Sequence, residues 1–216
     1  MEDYFNKVLQ AKVYEVAKKT PLEKANNLSK TLKNNIYLKR EDLQDVFSFK
    51  IRGAFNKMRQ LPKSTLANGV ITSSAGNHAQ GVALSALKLN CCATILMPIT
   101  TPLVKVKAVK DLKAKVILFG DNYDESYKEA VRLSEVNNLC FIHPFDDAEV
   151  IAGQGTIAIE LEEQISHPPD AIYVAVGGGG LIAGISVYIK KIWPKVKIIG
   201  VEPEDADAMT LSLIHI

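Results

Sequence analysis

The stretch "AIYVAVGGGGLIAG", residues 171 to 184, carries the fold class. Ala171 to Val176 show no apolar–polar alternation, so they read as a strand covered on both faces. Gly177, Gly178, Gly179 and Gly180 follow at once, and a helix runs on from them through "LIAGISVYIKKI". A strand passing directly into a helix is the repeating unit of a parallel α/β sheet. Consecutive glycines are costly because each loses much backbone freedom on folding, and close approach of the backbone to a ligand is the usual compensation. The N–H groups of such a turn, together with the positive end of the helix dipole, make an anion site, the dipole contributing about 0.3–1 kcal/mol. A phosphate is the natural occupant, because open α/β sheets hold their ligands at the carboxyl ends of strands.

Which phosphate is open at this point. Gly178, Gly180 and Ala183 fit G-x-G-x-x-A, and Glu202 closes the next strand, "VKIIGV" (196 to 201), about twenty residues later, as a dinucleotide site requires. A nicotinamide-dependent enzyme is therefore the alternative reading of this turn.

The same rhythm recurs upstream. "GVIT" (69 to 72) precedes a helix from Asn77, and "KVILFG" (115 to 120) precedes one through "YDESYKEAVRLSEV". "CATILM" (92 to 97) precedes a helix with Thr101 as its cap and Pro102 in its first turn. "NIYLKRED" reads as a strand, and "FNKVLQAKVYEVAKK" sets Phe5, Val8, Leu9, Val13 and Val16 on one stripe, which predicts a single helix ended by Thr20-Pro21. The fold class is α/β with parallel sheets.

The bulk properties agree with a globular protein: 216 residues, 47% apolar, 23% charged, net charge +2. Mixed charge gives no electrostatic argument for nucleic acid or a membrane surface. The N-terminus carries acids early and no long apolar run, so neither a signal nor a membrane span is read there. Cys91, Cys92 and Cys140 are odd in number and lack metal spacing, which points to a reducing compartment, cytoplasmic by expectation. The tail "MTLSLIHI" (209 to 216) breaks the βα rhythm and reads as a truncated frame, with "LSLIHI" foreign to the natural fold.

Two further segments bear polar chemistry. "ITSSAGNHAQGVALSALKL" repeats the strand-to-helix form and sets Ser73, Ser74, Gly76, Asn77 and His78 at a helix start, where their donors suit a carboxylate or phenolic oxygen. Plain capping by Ser74 or Asn77 is the simpler account, and His78 alone reads as a hydrogen-bonded structural residue. In "VFSFKIRGAF" (46 to 55), Lys50 follows Phe47 and Phe49. A lysine there can snorkel to water; buried, its pKa falls and it becomes a nucleophile.

Together, "YLKREDLQDVFSFKIRGAFNKM" (37 to 58), "TSSAGNHAQGVA" (72 to 83), "HPFDDAEVIAGQGTIAIE" (143 to 160) and "VGGGGLIAG" (176 to 184) resemble the fold-type II pyridoxal-phosphate enzymes, most closely the threonine dehydratases. A nicotinamide enzyme has no reason to carry the first two. The resemblance implies that Lys50 links to the aldehyde of pyridoxal 5'-phosphate and Phe49 packs on its ring. Asn77 would bond the ring hydroxyl oxygen, and Gly177 to Gly180 with the Leu181 N–H would hold the phosphate. Ser74, Ala75, Gly76 and His78 would form the loop that grips the substrate carboxylate.

It further implies an architecture of two three-layer domains: the smaller from 43 to 143, the larger built from 1–42 and 144–216 and incomplete, since the later strands and the residue that meets the pyridine nitrogen are not found in 209 to 216. The implied activity is dehydration and deamination of L-threonine to 2-oxobutanoate, or of L-serine to pyruvate, in a homo-oligomer, an inactive fragment being the remaining alternative. Serine racemases of the family carry a serine where Ala75 stands, which argues against racemisation. Their metal segment aligns with "VEPEDADA"; Glu202 and the Ala206 carbonyl match, but Ala208 replaces an acid, so no metal is expected.

Overall fold

The computed structural model describes residues 2–214; the last two residues of the tail read as foreign, His215 and Ile216, lie outside the described residues. The chain opens with α1 (Glu2–Gln10), the hairpin-like pair β1 (Leu22–Lys24) and β2 (Tyr37–Lys39) around α2 (Asn26–Leu32), then α3 (Lys50–Arg59) and α4 (Lys63–Asn68). There follow β3 (Val70–Ser73), α5 (Asn77–Lys88), β4 (Ala93–Met97), α6 (Leu103–Asp111), β5 (Lys115–Leu118), α7 (Tyr123–Val136) and β6 (Cys140–Phe141). The last part holds α8 (Ala148–Gln164), β7 (Ala171–Ala175), α9 (Gly180–Ile192), β8 (Lys197–Val201) and α10 (Ala208–Ile214).

One sheet runs in the order β5-β4-β3-β6, every pairing parallel, with Val70 in register with both Ala93 and Cys140. Successive residues of its central strands point to opposite faces. Val70, Ala93, Ile95 and Met97 meet Val82 and Ala83 of α5 and Val109 of α6, while Ile71 and Leu96 meet Ala130 of α7. That double burial is why the strands lack polar alternation. A second parallel pair, β7-β8, has α1, α8 and α9 over one face, with Val8, Leu161, Val174 and Ile189 in the core. Its other face is open: Tyr173 is 70% exposed. So residues 171–176 are not a strand covered on both faces, since among the described residues nothing packs over Tyr173.

Three helices stack at glycines. A Cβ on Gly153 would lie 2.6 Å from the Arg52 carbonyl oxygen, so α3 and α8 cross backbone to backbone; Gly155 and Gly184 do the same for α8 and α9. This seats the first turn of α3 against both cores.

Two local expectations fail. The first helix stops at Gln10 although the apolar stripe continues, because the Lys12 N–H donates to Asn56 Oδ1 at 2.9 Å and leaves the helical ladder. Val13, Val16 and Ala17 then pack as an irregular segment against Ile51 and Phe55. Thr101 does not cap α6: Pro102 stands at that position and Thr101 Oγ1 is buried without a partner among the described residues.

Candidate active site

Lys50 is the first residue of α3, and the chain reaches it through Phe47, which takes φ 56, and Ser48, whose Oγ accepts the Lys50 N–H at 3.1 Å. Its stem does not snorkel. The half-buried amine donates to the Pro144 carbonyl at 2.8 Å and lies 5.4 Å from the Phe49 ring centroid. Among the described residues no carboxylate pairs with it. Burial without a counter-charge lowers its pKa to about 8, so a useful fraction is the nucleophilic free amine near neutral pH.

Two positions on, Arg52 is fully buried and saturated. Its guanidinium donates to Glu41 at 2.7 and 2.8 Å, to Glu160 at 2.6 Å, to Thr156 and to the Lys18 carbonyl. Lys39 reaches Glu160 from the other side at 2.5 Å. Burial opposes the charges of both Arg52 and Glu160, but their pairing raises the guanidinium pKa and holds the carboxyl below its usual range. This network ties α3 to α8 and to the N-terminal segment, and it fixes the helix that carries Lys50. The sequence reading missed it: Glu41 stands only 11 positions upstream, but Thr156 and Glu160 lie more than 100 positions downstream.

The Ser74–His78 loop follows β3. Gly76, not a side chain, stands at the start of α5, so plain capping is not what Ser74 or Asn77 does. Ser74 Oγ instead accepts the Gly76 N–H at 3.2 Å, and its own N–H bonds the Leu96 carbonyl. Among the described residues, the N–H groups of Asn77, His78 and Ala79 have no partner. Asn77 is exposed, and Ala75 packs into the core of the four-stranded sheet. The His78 ring turns inward and donates from Nε2 to the Ile142 carbonyl at 3.0 Å, leaving Nδ1 unpartnered. Burial first, then the nearby Lys50 charge, lowers its pKa to about 3, so it stays neutral. Its imidazole is structural; only its N–H is free for the loop.

The glycine turn starts α9 in the same way, with Gly179 at φ 86 and no side-chain cap. Among the described residues, the N–H groups of Gly177 to Ile182 have no partner, Leu181 included. The glycines are not equivalent. A Cβ on Gly178 would overlap the Phe145 ring, one on Gly180 would lie 2.7 Å from the Phe145 carbonyl oxygen, and one on Gly177 would meet nothing within 4 Å.

The segment 142–145 joins these pieces: Ile142 holds His78, Pro144 holds Lys50, and Phe145 lies against the turn. Gly81 of α5 packs against the Lys50 carbonyl, which brings the Ser74–His78 loop to the same end of α3. A hollow of about 650 Å³ at the far end of α3, lined by Lys7, Lys12, Asn56, Arg59 and Glu149 among others, is a different place. Its Lys7 and Arg59 are already paired with Glu149 and Glu15.

Glu202, named above for a dinucleotide ribose or a metal, turns its carboxylate toward the chain itself. Its carboxylate accepts the N–H groups of Met209 and Thr210 at 3.0 and 2.9 Å, at the start of α10.

Residues 13–215 match the family model described as "Pyridoxal-phosphate dependent enzyme". The chain is 58% identical over 213 residues to "Threonine dehydratase biosynthetic, chloroplastic" of Arabidopsis thaliana, covering 99% of itself and 36% of that protein. It superposes with TM-score 0.95 on the processed form of threonine deaminase isoform 2 from Solanum lycopersicum, at 52% identity, covering 99% of this chain and 62% of that one. Maize serine racemase gives TM-score 0.92 at 31% identity, with 99% and 64% covered. The chain thus spans about a third of the length of the Arabidopsis relative. None of these comparisons supports the nicotinamide alternative. The chain belongs to the family of pyridoxal-phosphate dependent enzymes.

Proposed function

We propose that this chain forms the lysine-bearing part of a threonine ammonia-lyase, which converts L-threonine to 2-oxobutanoate and ammonia, the first step of isoleucine biosynthesis, and L-serine to pyruvate. The observation that carries it is the Lys50 amine, half-buried, held by one carbonyl and lowered to a pKa of about 8. A relative named as a threonine dehydratase and a solved structure named as a threonine deaminase support the choice of substrate.

The residues fit the cofactor. Lys50 offers an amine for its aldehyde, and the unpartnered N–H groups from Gly177 to Ile182, beside the open space at Gly177, offer a cradle for its phosphate. When bound, the cofactor supplies an electron sink for the charge left at the substrate Cα. Lys50 acts as the general base that takes the Cα proton, its low pKa keeping it ready near neutral pH. The free N–H groups of Asn77, His78 and Ala79 would hold the substrate carboxylate, with Ser74, Ala75 and Gly76 shaping the loop, and Asn77 and Phe49 would help to hold the cofactor ring. Water leaves from the β-carbon; the released enamine takes up water and gives the 2-oxo acid and ammonia. Ala75 has no hydroxyl to return a proton from the opposite face, which favours elimination over racemisation.

The division at residues 43 and 143 is part of this reading and is supported by the separate cores around β3-β4 and β7-β8. So are a homo-oligomeric parent and a cytoplasmic location; among the described residues no helix is long and apolar enough to cross a membrane.

The test is to mix the chain with pyridoxal phosphate, reduce with borohydride and map the adduct by peptide mass spectrometry, then assay L-threonine. A single adduct on Lys50, lost in Lys50→Ala, is expected. Adducts scattered over surface lysines would overturn the assignment.

A further inference from the structure

We propose that His143, which nothing above assigns to the site, is a ligand-contacting residue: its Nε2–H donates to an anionic oxygen of the molecule that Lys50 captures. The inference rests on the reading of Lys50 as the cofactor lysine.

The neighbours of His143 fix its tautomer. His143 Nδ1 accepts the N–H of Asp146 at 2.7 Å and that of Phe145 at 3.3 Å. Both are backbone donors, so Nδ1 must be the bare acceptor and a neutral ring carries its proton on Nε2. Among the described residues that Nε2–H has no partner. The Nε2 nitrogen is not among the fully buried polar atoms, so the ring presents to accessible space a donor whose direction two hydrogen bonds fix and which no acceptor of the chain occupies.

Its place is equally specific. Pro144, the next residue, holds the Lys50 amine through its carbonyl at 2.8 Å. The His143 ring stands edge-on to Phe145 with centroids 4.7 Å apart, and Phe145 lies against Gly178 in the glycine turn. His143 also follows β6, at the end of the sheet where the Ser74–His78 loop follows β3. It therefore flanks the lysine on one side and the anion cradle on the other. Burial lowers its pKa first; Asp146 and Asp147 partly counter this, and Lys50 adds to it. The ring thus enters the site as a neutral donor, able to bond an anionic oxygen without adding a full charge beside Lys50.

Two oxygens of a captured pyridoxal phosphate share this chemistry: a phosphate oxygen and the ring hydroxyl oxygen. Pyridoxal, which lacks the phosphate, separates them. The decisive variant is His143→Asn, because Asn Oδ1 can replace Nδ1 as acceptor for the two backbone N–H groups while the distal donor is lost. His143→Gln keeps a distal N–H.

The experiment measures thermal melting and spectral titration of wild type and both variants with pyridoxal phosphate and with pyridoxal, with borohydride mapping of the adduct. The expected result is that Asn melts within about 3 °C of wild type, still labels on Lys50, and binds pyridoxal phosphate about tenfold more weakly, while Gln stays within about threefold of wild type. Weakening confined to pyridoxal phosphate places the bond on the phosphate; equal weakening for pyridoxal places it on the ring oxygen. Asn binding both ligands like wild type overturns the proposal, as does Gln binding pyridoxal phosphate about tenfold more weakly than wild type, a criterion that holds even if Asn proves unstable. A wild-type chain with no Lys50 adduct fails differently, removing the cofactor reading and this inference with it.

Discussion

Among the helices that follow a strand of the parallel sheets, α5, α7, α8 and α9 divide into two pairs, while α6 has Pro102 at its cap and joins neither. At α7, Asn122 accepts the Glu125 N–H; at α8, Asp147 accepts those of Glu149 and Val150. At α5 and α9 a glycine stands at the cap and no side chain accepts anything. The same contrast separates two cations on one helix, Arg52 with its full set of partners and Lys50 with a single carbonyl. Where polar groups serve the fold, the chain has supplied partners from within itself. Most of those left over at helix starts lie near the beginning of α3, Thr101 Oγ1 at α6 being an exception, and it is this difference on which the proposed site rests.

The largest expected break is on the saturated side. Replacing Arg52 by Met strips Glu41 of its guanidinium and leaves the buried Glu160 with Lys39 alone, which costs about 3–5 kcal/mol. That is a large share of the stability of an ordinary domain. Urea unfolding should show the midpoint falling sharply or the folded baseline disappearing. A midpoint that barely moves would mean that Lys39 alone can hold Glu160.

Lys50→Met should move stability the other way. The unfolded lysine binds a proton up to its ordinary pKa of 10.5, the folded one only to about 8. Between these values the unfolded chain holds more protons, so the stability of the cofactor-free protein rises with pH. Met removes a penalty that is fully present below pH 8 and gone above 10.5. Near pH 7 the gain should reach about 2–3 kcal/mol, less whatever the bond to Pro144 contributes. Thermal melts at pH 7 and pH 10 check the sign: the advantage of Met must shrink as pH rises.

The sequence made one side of this contrast far easier to read than the other. The alternation of apolar runs with amphipathic helices gave β3, β4, β5 and α7 because burial on both faces of a parallel sheet leaves an unmistakable run of apolar residues. The open face at Tyr173 was invisible, since an absent layer leaves no mark on the strand. The helices α3 and α8 were hidden by Gly53, Gly153 and Gly155, which weaken helix propensity but permit close crossings. In the site, Lys50 and the glycine turn were legible through their motifs. Their connection was not, because the acceptor at Pro144 is a backbone carbonyl 94 positions from Lys50 and the Thr156 and Glu160 partners of Arg52 are remote in sequence.

A cap removed from the saturated pair should have a middling effect. Asp147→Ala strands two N–H groups of α8 and frees Lys57 from its 2.7 Å ion pair, for about 1–2 kcal/mol. Burial works against the Asp147 charge, but Lys57 and the two N–H groups hold its pKa below the usual carboxylate range. The stabilisation is therefore present above the unfolded pKa and lost as pH falls through the folded one. Wild type and variant should converge in acid and differ at pH 7; equal midpoints at pH 7 would show that the cap is dispensable.

The smallest effect on stability should come from the unsatisfied side, at Gly177→Ala. The added methyl meets no protein atom within 4 Å, and the residue is not among the glycines with positive φ. Restricting the unfolded chain can even add a few tenths of a kcal/mol, since Ala samples fewer conformations than Gly. If the space there belongs to a phosphate, the same methyl enters it, so melting should stay within about 2 °C of wild type while the stabilisation given by inorganic phosphate or pyridoxal phosphate falls. The ligand-dependent shift in melting measures this directly, because a ligand of the native state raises stability according to its affinity. A variant that keeps both its melting point and its full phosphate response would show that Gly177 is free for reasons of folding alone, and the equivalence drawn between unfilled polar groups and ligand contacts would fail at the glycine turn.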